Sequence, residues 1–170
     1  MELVFQTPRL LLRQMTIEDA PLILELNSDP EVLKYLHEPA LQSIVAAEKV
    51  ITDIILPQYK NKLGRWAVHT KHDNAFIGWC GLKFRPFLDE IDLGYRFMKN
   101  SWGKGYATEA AQHTLDYGFN DLKIKLITGR VHIENAASIK VLEKTGMQFI
   151  KEEIVDECPV RAYTKANTSV

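Results

Sequence analysis

Two glycines one residue apart, Gly103 and Gly105, lie in the stretch Asn100 to Ala110, N-S-W-G-K-G-Y-A-T-E-A. An alternating run, Ile91, Leu93, Tyr95 and Phe97, precedes them, and a helical pattern follows to about Phe119. Glycines at such a strand-to-helix turn let main-chain N–H groups close on an anion, because the first-turn donors from about Gly105 to Thr108 have no helical acceptor. A phosphate there also gains from the helix dipole, by about 0.3–1 kcal/mol per well-placed charge. As bare spacing, the same glycines equally fit a tight turn with close helix packing, and Lys104 a solvated side chain. Upstream, Glu90 and Asp92 alternate with Ile91 and Leu93, which puts both carboxylates on one strand face about 7 Å apart. Carboxylates that close raise one another's pKa, although strands near a surface also expose acids to water.

Established phosphate loops do not fit. The pattern G-x-x-x-x-G-K-[ST] fails because Lys104 sits between the glycines and Tyr106 follows them. The dinucleotide fingerprint fails because its third glycine would fall at Thr108. Cys80 and Cys158 have no Cys or His neighbour at zinc-ligand spacing, and the five histidines show no mutual metal spacing, so no metal site is expected. Cys80, between Trp79 and Gly81 in an apolar run, reads as a buried, unreactive thiol.

The elements that must position these residues are legible in outline. Arg9 to Arg13 reads as a first strand after Thr7-Pro8, and Thr16 with Asp19 as a helix start ahead of Leu22, Ile23 and Leu26. Asp29-Pro30 opens a short helix, and Ser43 caps a longer one that Pro57 should end or kink. Between Arg65 and Phe97 three strand-like runs with short connections predict an antiparallel meander. After the glycine turn, Ala107, Ala110, Ala111, Thr114, Leu115 and Gly118 form a small-residue helical face, and Ile124 to Val131 reads as a strand reached by a parallel crossover. A helix from Glu134 to about Gly146 and two strands, Met147 to Val155 and Pro159 to Lys165, close the chain. The expected fold is α+β: one central mixed, mostly antiparallel sheet of about seven strands with helices on both faces. Residues 1–170 are expected to form a single domain with its core at about 8–165.

Of the 170 residues, 46% are hydrophobic and 25% charged, and the net charge is −1, which argues against a general nucleic-acid binder. No apolar run reaches the roughly 18 residues of a membrane helix. The opening M-E-L-V-F-Q-T-P-R-L lacks the basic segment and apolar core of a secretion signal, so a cytoplasmic protein with reduced thiols is expected.

Taken together, D-L-G-Y-R-F, W-G-K-G-Y-A-T-E-A and, about thirty residues later, E-N-A-A-S-I-K-V-L-E-K-T-G-M resemble the acyl-CoA N-acyltransferases of the GNAT superfamily. With the opening T-P-R-L-L-L-R-Q-M-T-I-E-D-A, they are similar to the branch that includes the ribosomal-protein N-terminal acetyltransferases. The resemblance covers nearly the whole chain. It implies acetyl-CoA as cosubstrate, with Gly103, Lys104, Gly105, Tyr106, Ala107 and Thr108 cradling the CoA pyrophosphate. The main chain of Phe97 and Met98 would pair with the pantetheine arm, Asn135 would hydrogen-bond that arm, and Ser138 would lie near the sulfur. One departure is Asn100, where the superfamily often carries Gln or Arg; it leaves the main-chain cradle intact.

An amine must lose a proton before it attacks a thioester, the resulting oxyanion needs N–H donors, and the departing thiolate is helped by an acid. The resemblance places the oxyanion donor at about the N–H of Met98. Asp92, at a position where the family often has Glu, is the first candidate base and Glu90 the second, with a water relay as the alternative. Ser138 is either a hydrogen-bond donor to the thiolate or a local helix-start residue. Tyr35 and Tyr59 read as helical core or as lining for an acceptor pocket, and Trp66, Trp79 and Trp102 as packing residues. The expected activity is direct acetyl transfer to a primary amine, with a protein N-terminus favoured by the branch resemblance. Polyamine or amino-sugar acetylation is an alternative, as is a catalytically silent acyl-CoA-binding module. The expected assembly is a monomer or a homodimer.

Overall fold

The computed structural model describes residues 2–169 and builds them around one eight-stranded sheet. Its strands are β1 (Leu3–Gln6), β2 (Leu10–Arg13), β3 (Gly64–Thr70), β4 (Phe76–Arg85), β5 (Glu90–Phe97), β6 (Leu126–His132), β7 (Gln148–Val155) and β8 (Cys158–Ala166). Their spatial order is β1-β2-β3-β4-β5-β6-β8-β7. Only β5 and β6 pair in parallel, through the expected crossover; every other neighbour is antiparallel. The strand beyond the expected seven is β1. Thr7 and Pro8 turn the chain between two strands, with the Thr7 N–H donating to the Leu10 carbonyl and the Thr7 hydroxyl accepting from the Leu10 N–H. A local break in the alternation at proline thus marks a hairpin.

Helices cover both faces. On one lie α1 (Ala20–Leu26), α2 (Pro30–Leu33), α3 (Ile44–Val50) and α4 (Leu56–Gln58). The expected caps form: the Asp19 carboxylate accepts from the Thr16 N–H, Asp29 from Glu31, and Ser43 from Ala46. Pro57 does not end the helix: a π turn over Ile51–Ile55 leads into α4, and Pro57 stands in its first turn, where a missing N–H is tolerated. Ile23, Leu26, Ala47, Ile51 and Ile55 pack there against Ala67 and Trp79 of the sheet.

The opposite face carries α5 (Tyr106–Asn120) and α6 (Ala136–Lys144). Ala110, Ala111, Thr114, Leu115 and Gly118 of α5 are buried against it, as their spacing predicts. Gly118 is needed for that closeness: a Cβ there would stand 2.9 Å from Ile127 Cδ1 and 3.0 Å from Leu82 Cδ1. No helix among the described residues is long and apolar enough to cross a membrane.

Candidate active site

The parallel ladder between β5 and β6 is short. Ile91, Asp92 and Leu93 pair with Ile127, Thr128 and Gly129, yet β5 runs on to Phe97 and β6 to His132. Beyond Leu93 and Gly129 the strands part and leave an opening through the sheet. Antiparallel pairing alternates which edge each residue's main-chain groups face. The Met98 N–H donates to Ile77 of β4 at 2.8 Å, so the N–H groups of Tyr95 and Phe97 turn the other way, into the opening. The Met98 N–H thus donates to β4, and its carbonyl accepts from the Ser101 N–H and hydroxyl. The expected oxyanion donor at Met98 is therefore already committed, and its main chain has no group left for a pantetheine arm. At Phe97 the carbonyl is also taken, by Trp102 Nε1 at 2.9 Å, which leaves the N–H.

Just past β5 comes the glycine turn. Gly103 and Gly105 have φ of +75° and +81°, a region that strains other residues. No side chain crowds Gly103, since a Cβ there would meet nothing within 4 Å, so its glycine answers to backbone conformation and open space. From Gly103 to Thr108 the N–H groups donate to no protein atom among the described residues, and the first bond of α5 runs from the Glu109 N–H to the Gly105 carbonyl. Six consecutive donors without acceptors, at the dipole's positive end, form an anion cradle.

Residues that sequence reasoning missed hold this cradle. Arg9 donates to the Lys104 carbonyl at 3.0 Å and to Glu109 at 2.7 Å, and its guanidinium lies 4.6 Å from the Tyr106 ring centre. Glu109 also accepts from the Thr7 hydroxyl at 2.6 Å and the Arg9 N–H at 2.8 Å. Burial raises the Glu109 carboxyl pKa, but the bonds from Thr7 and Arg9 outweigh it and hold the group below its ordinary value. A glutamate in the first helical turn was visible in the sequence; its partners a hundred residues upstream were not.

Asn135 and Ser138 lie where β6 gives way to α6. Asn135 caps that helix by accepting from the Ser138 N–H at 3.2 Å. The Ser138 carbonyl receives the Tyr95 hydroxyl at 3.3 Å, which ties β5 to α6 across the opening. The Ser138 hydroxyl makes no bond to another protein atom among the described residues, so local capping is the work of Asn135.

Asp92 and Glu90 point to the other face of the sheet. Asp92 is buried, with its oxygens 3.3 Å from Arg85 Nε and 3.3 Å from the Thr128 hydroxyl, and Arg130 Nη1 is 3.9 Å away. Burial pushes its pKa above the ordinary carboxylate value, against the pull of Arg85 and Arg130. The cause is thus desolvation; the expected mutual repulsion with Glu90 is not needed, since Glu90 is itself 2.7 Å from Arg130 Nη1. Ser138 and the two acids stand on opposite faces, with the β5–β6 opening between them.

The segment 34–38 roofs the acid side. Glu38 pairs with Arg96 at 2.6 Å, and the Tyr35 ring lies 5.4 Å from that of His132. Tyr35 thus borders the opening, while Tyr59 is structural: its hydroxyl accepts from the Met15 N–H and donates to the Arg65 carbonyl. Cys80 is fully buried and its thiol is pushed up to about 12, which removes it as an acyl carrier.

An anion cradle thus lies beside a sheet opened at its parallel pair. Residues 9–148 match the model of the acetyltransferase (GNAT) domain. The chain belongs to the GNAT acetyltransferase family. It is 35% identical over 164 residues to the uncharacterized N-acetyltransferase p20 of Bacillus licheniformis, covering 94% of this chain and 86% of that one. Among solved structures it resembles the spermidine N-acetyltransferase from Vibrio cholerae in complex with CoA and spermine (TM-score 0.80, 20% identity, 95% and 98% of the two chains). It also resembles RimL, a ribosomal L7/L12 alpha-N-protein acetyltransferase in complex with CoA (TM-score 0.85, 15% identity, 99% and 100%).

Proposed function

We propose that the protein transfers an acetyl group directly from acetyl-CoA to a primary amine that enters from the α1–α4 face of the sheet. The observation that carries this reading is the run of unpaired N–H groups from Gly103 to Thr108 next to the β5–β6 opening. The cradle would hold the CoA pyrophosphate, and the Phe97 N–H would pair with the pantetheine arm in the manner of an added strand. The Asn135 side-chain amide, whose oxygen already caps α6, has its NH₂ group left for the same arm. Through the opening, a thioester on the α5–α6 side would face an amine on the other.

Each step then has a residue. Asp92, kept basic enough by burial, accepts the amine's proton through a water, with Glu90 and Arg130 fixing its surroundings. The amine nitrogen bonds to the thioester carbon, and the Tyr95 N–H, the free donor on this edge nearer Asp92, takes the oxyanion donor's role first assigned to Met98. The C–S bond breaks as the carbonyl re-forms, the nitrogen releases its second proton, and the thiolate, hydrogen-bonded by the free Ser138 hydroxyl, takes up a proton in its place and leaves as the CoA thiol. No acyl-enzyme is required, and Cys80 could not form one.

Acceptors of both kinds occur among the structural neighbours, a polyamine in one and a protein N-terminus in another. The resemblance of T-P-R-L-L-L-R-Q-M-T-I-E-D-A favours the N-terminus. Labelled acetyl-CoA added to a cell extract with the purified protein, followed by mass spectrometry, tests the reading. An N-acetylated product formed with stoichiometric CoA release is expected. Tight acetyl-CoA binding with no release of CoA across amines and peptides would make the protein a silent binding module.

A further inference from the structure

Charge on the acceptor face is unevenly shared, because its acids gather on three arginines. Arg85 is matched by Asp92 at 3.3 Å and Asp156 at 3.7 Å, Arg96 by Glu38 at 2.6 Å, and Arg130 by Glu90 at 2.7 Å and Glu153 at 3.2 Å. Two cations on the same face, Arg65 and Lys83, have no carboxylate within 4.0 Å and no side-chain hydrogen bond among the described residues.

Their placement follows from strand register. Arg65 of β3 stands opposite Gly81 of β4, which stands opposite Gly94 of β5, the first residue past the β5–β6 ladder. Lys83 stands opposite Asp92. With glycine at both intervening positions, the space between Arg65 and the opening is filled by one ring, that of Trp79. A Cβ on Gly94 would touch that indole at 3.4 Å, and the Arg65 guanidinium lies 4.6 Å from its centre. Arg65, Trp79 and Gly94 therefore form a continuous wall that ends where the amine is to react.

A half-buried guanidinium without a partner costs stability, and such groups call for an anion to complete them. Burial and repulsion from Arg96 bring Arg65 down to about 10, and burial with repulsion from Arg65 and Arg85 lowers Lys83. Glu38 offsets this only in part at Arg65, as do Asp92 and Asp156 at Lys83.

We propose that Arg65, with Lys83 beside it, binds an anionic group of the acceptor, so that preferred acceptors carry a carboxylate or phosphate a few bonds from the amine and polyamines are disfavoured. The identity of the reacting group rests on the acetyltransferase reading; the anion site itself does not. The planar guanidinium pairs with either anion in bidentate fashion, which Lys reproduces poorly.

Binding of reaction products to the protein saturated with CoA, measured by calorimetry, tests the proposal without turnover. The probes are N-acetyl-β-alanine and N-acetyl-γ-aminobutyrate, their carboxamides, N-acetyl-O-phosphoethanolamine and N-acetylspermidine. The wild type is expected to bind an acid or the phosphate about tenfold or more tighter than the carboxamides, the scale of one charge-assisted pair, and to bind N-acetylspermidine weakest. Stronger binding of the phosphate than of the acids assigns the group to phosphate, and the reverse order to carboxylate. In Arg65→Met the preference should fall to near unity and in Arg65→Lys return in part, with thermal unfolding recorded for each variant. Should Arg65→Met fail to fold, Lys83→Gln, at an exposed position, should reduce the preference about threefold. Equal binding of acid and carboxamide by the wild type, or a preference that survives Arg65→Met or, where that variant does not fold, Lys83→Gln, overturns the proposal. Turnover of the parent amines is scored separately: absence of CoA release with all of them counts against the acetyltransferase reading, while the binding ratio still decides this one.

Discussion

Replacing Gly105 by Ala separates a phosphate cradle from a mere tight turn. At φ +81° an alanine pays roughly 1–2 kcal/mol for the left-handed conformation. Its Cβ would also stand 3.3 Å from Arg9 Nη2, close enough to push that side chain by a few tenths of an ångström. Arg9 is what ties the Lys104 carbonyl to Glu109, so the push is passed to the N–H groups of the cradle. Loss of one or two charge-assisted N–H contacts at about 1.5 kcal/mol each weakens acetyl-CoA binding roughly tenfold to a hundredfold. The strain alone lowers Tm by about 2–8 °C in a chain this size. Gly118→Ala is the matched control: its Cβ would overpack Ile127 and Leu82, costing about 1–3 kcal/mol in a place remote from the cradle. Calorimetric titration with acetyl-CoA and thermal unfolding of both variants read the two effects apart. The reasoning requires a weakened Kd in Gly105→Ala and an unchanged one in Gly118→Ala at a comparable Tm. A folded Gly105→Ala protein with wild-type affinity would refute the cradle.

Other outcomes follow from the same geometry. Asp92→Asn should lower kcat at neutral pH with little change in acetyl-CoA affinity; because burial raises the Asp92 pKa, the wild-type rate should climb as pH rises through that elevated value, and the climb should vanish in the variant. An unaltered pH–rate profile would remove Asp92 as the base. Ser138→Ala should slow turnover about three- to tenfold, the scale of one neutral hydrogen bond, without lowering Tm, since Asn135 caps α6; a wild-type rate would leave Ser138 no part in the chemistry. Glu109→Gln should cost about 2 kcal/mol near neutral pH through its bonds to Thr7 and Arg9. Because the folded pKa of Glu109 is depressed, that stability is present above its unfolded value and is lost as pH falls through the folded one, so the two unfolding curves should converge in acid. A gap that stays constant down to pH ~2 would contradict the ionised pairing.

Local signals in the chain were enough for much of the fold. Caps at Asp29 and Ser43, the meander ending at Phe97, the small-residue face of α5 and the crossover into β6 all depend on neighbours within a few residues, and they stand where the sequence puts them. Features that depend on distant partners were hidden. The β1 strand is four residues long and gains its role only by pairing with β2. The Arg9–Glu109 tie and the approach of Arg130 to Asp92 join segments far apart in the chain. Met98 shows the same limit: its place beside the glycine turn was legible, but not that its N–H already serves Ile77. Alternation put Glu90 and Asp92 on one face, yet their environment is set in large part by Arg130, which no local pattern connects to them.

Backbone amide NMR of the ¹⁵N-labelled protein, with and without acetyl-CoA, tests the central claim most directly. The account predicts large shifts and slowed exchange at Gly103 to Thr108, together with Tyr95 and Phe97, while Met98, already bonded to Ile77, changes its exchange little. Shifts that spare the glycine turn and the β5 edge, in a protein that binds acetyl-CoA, would contradict it.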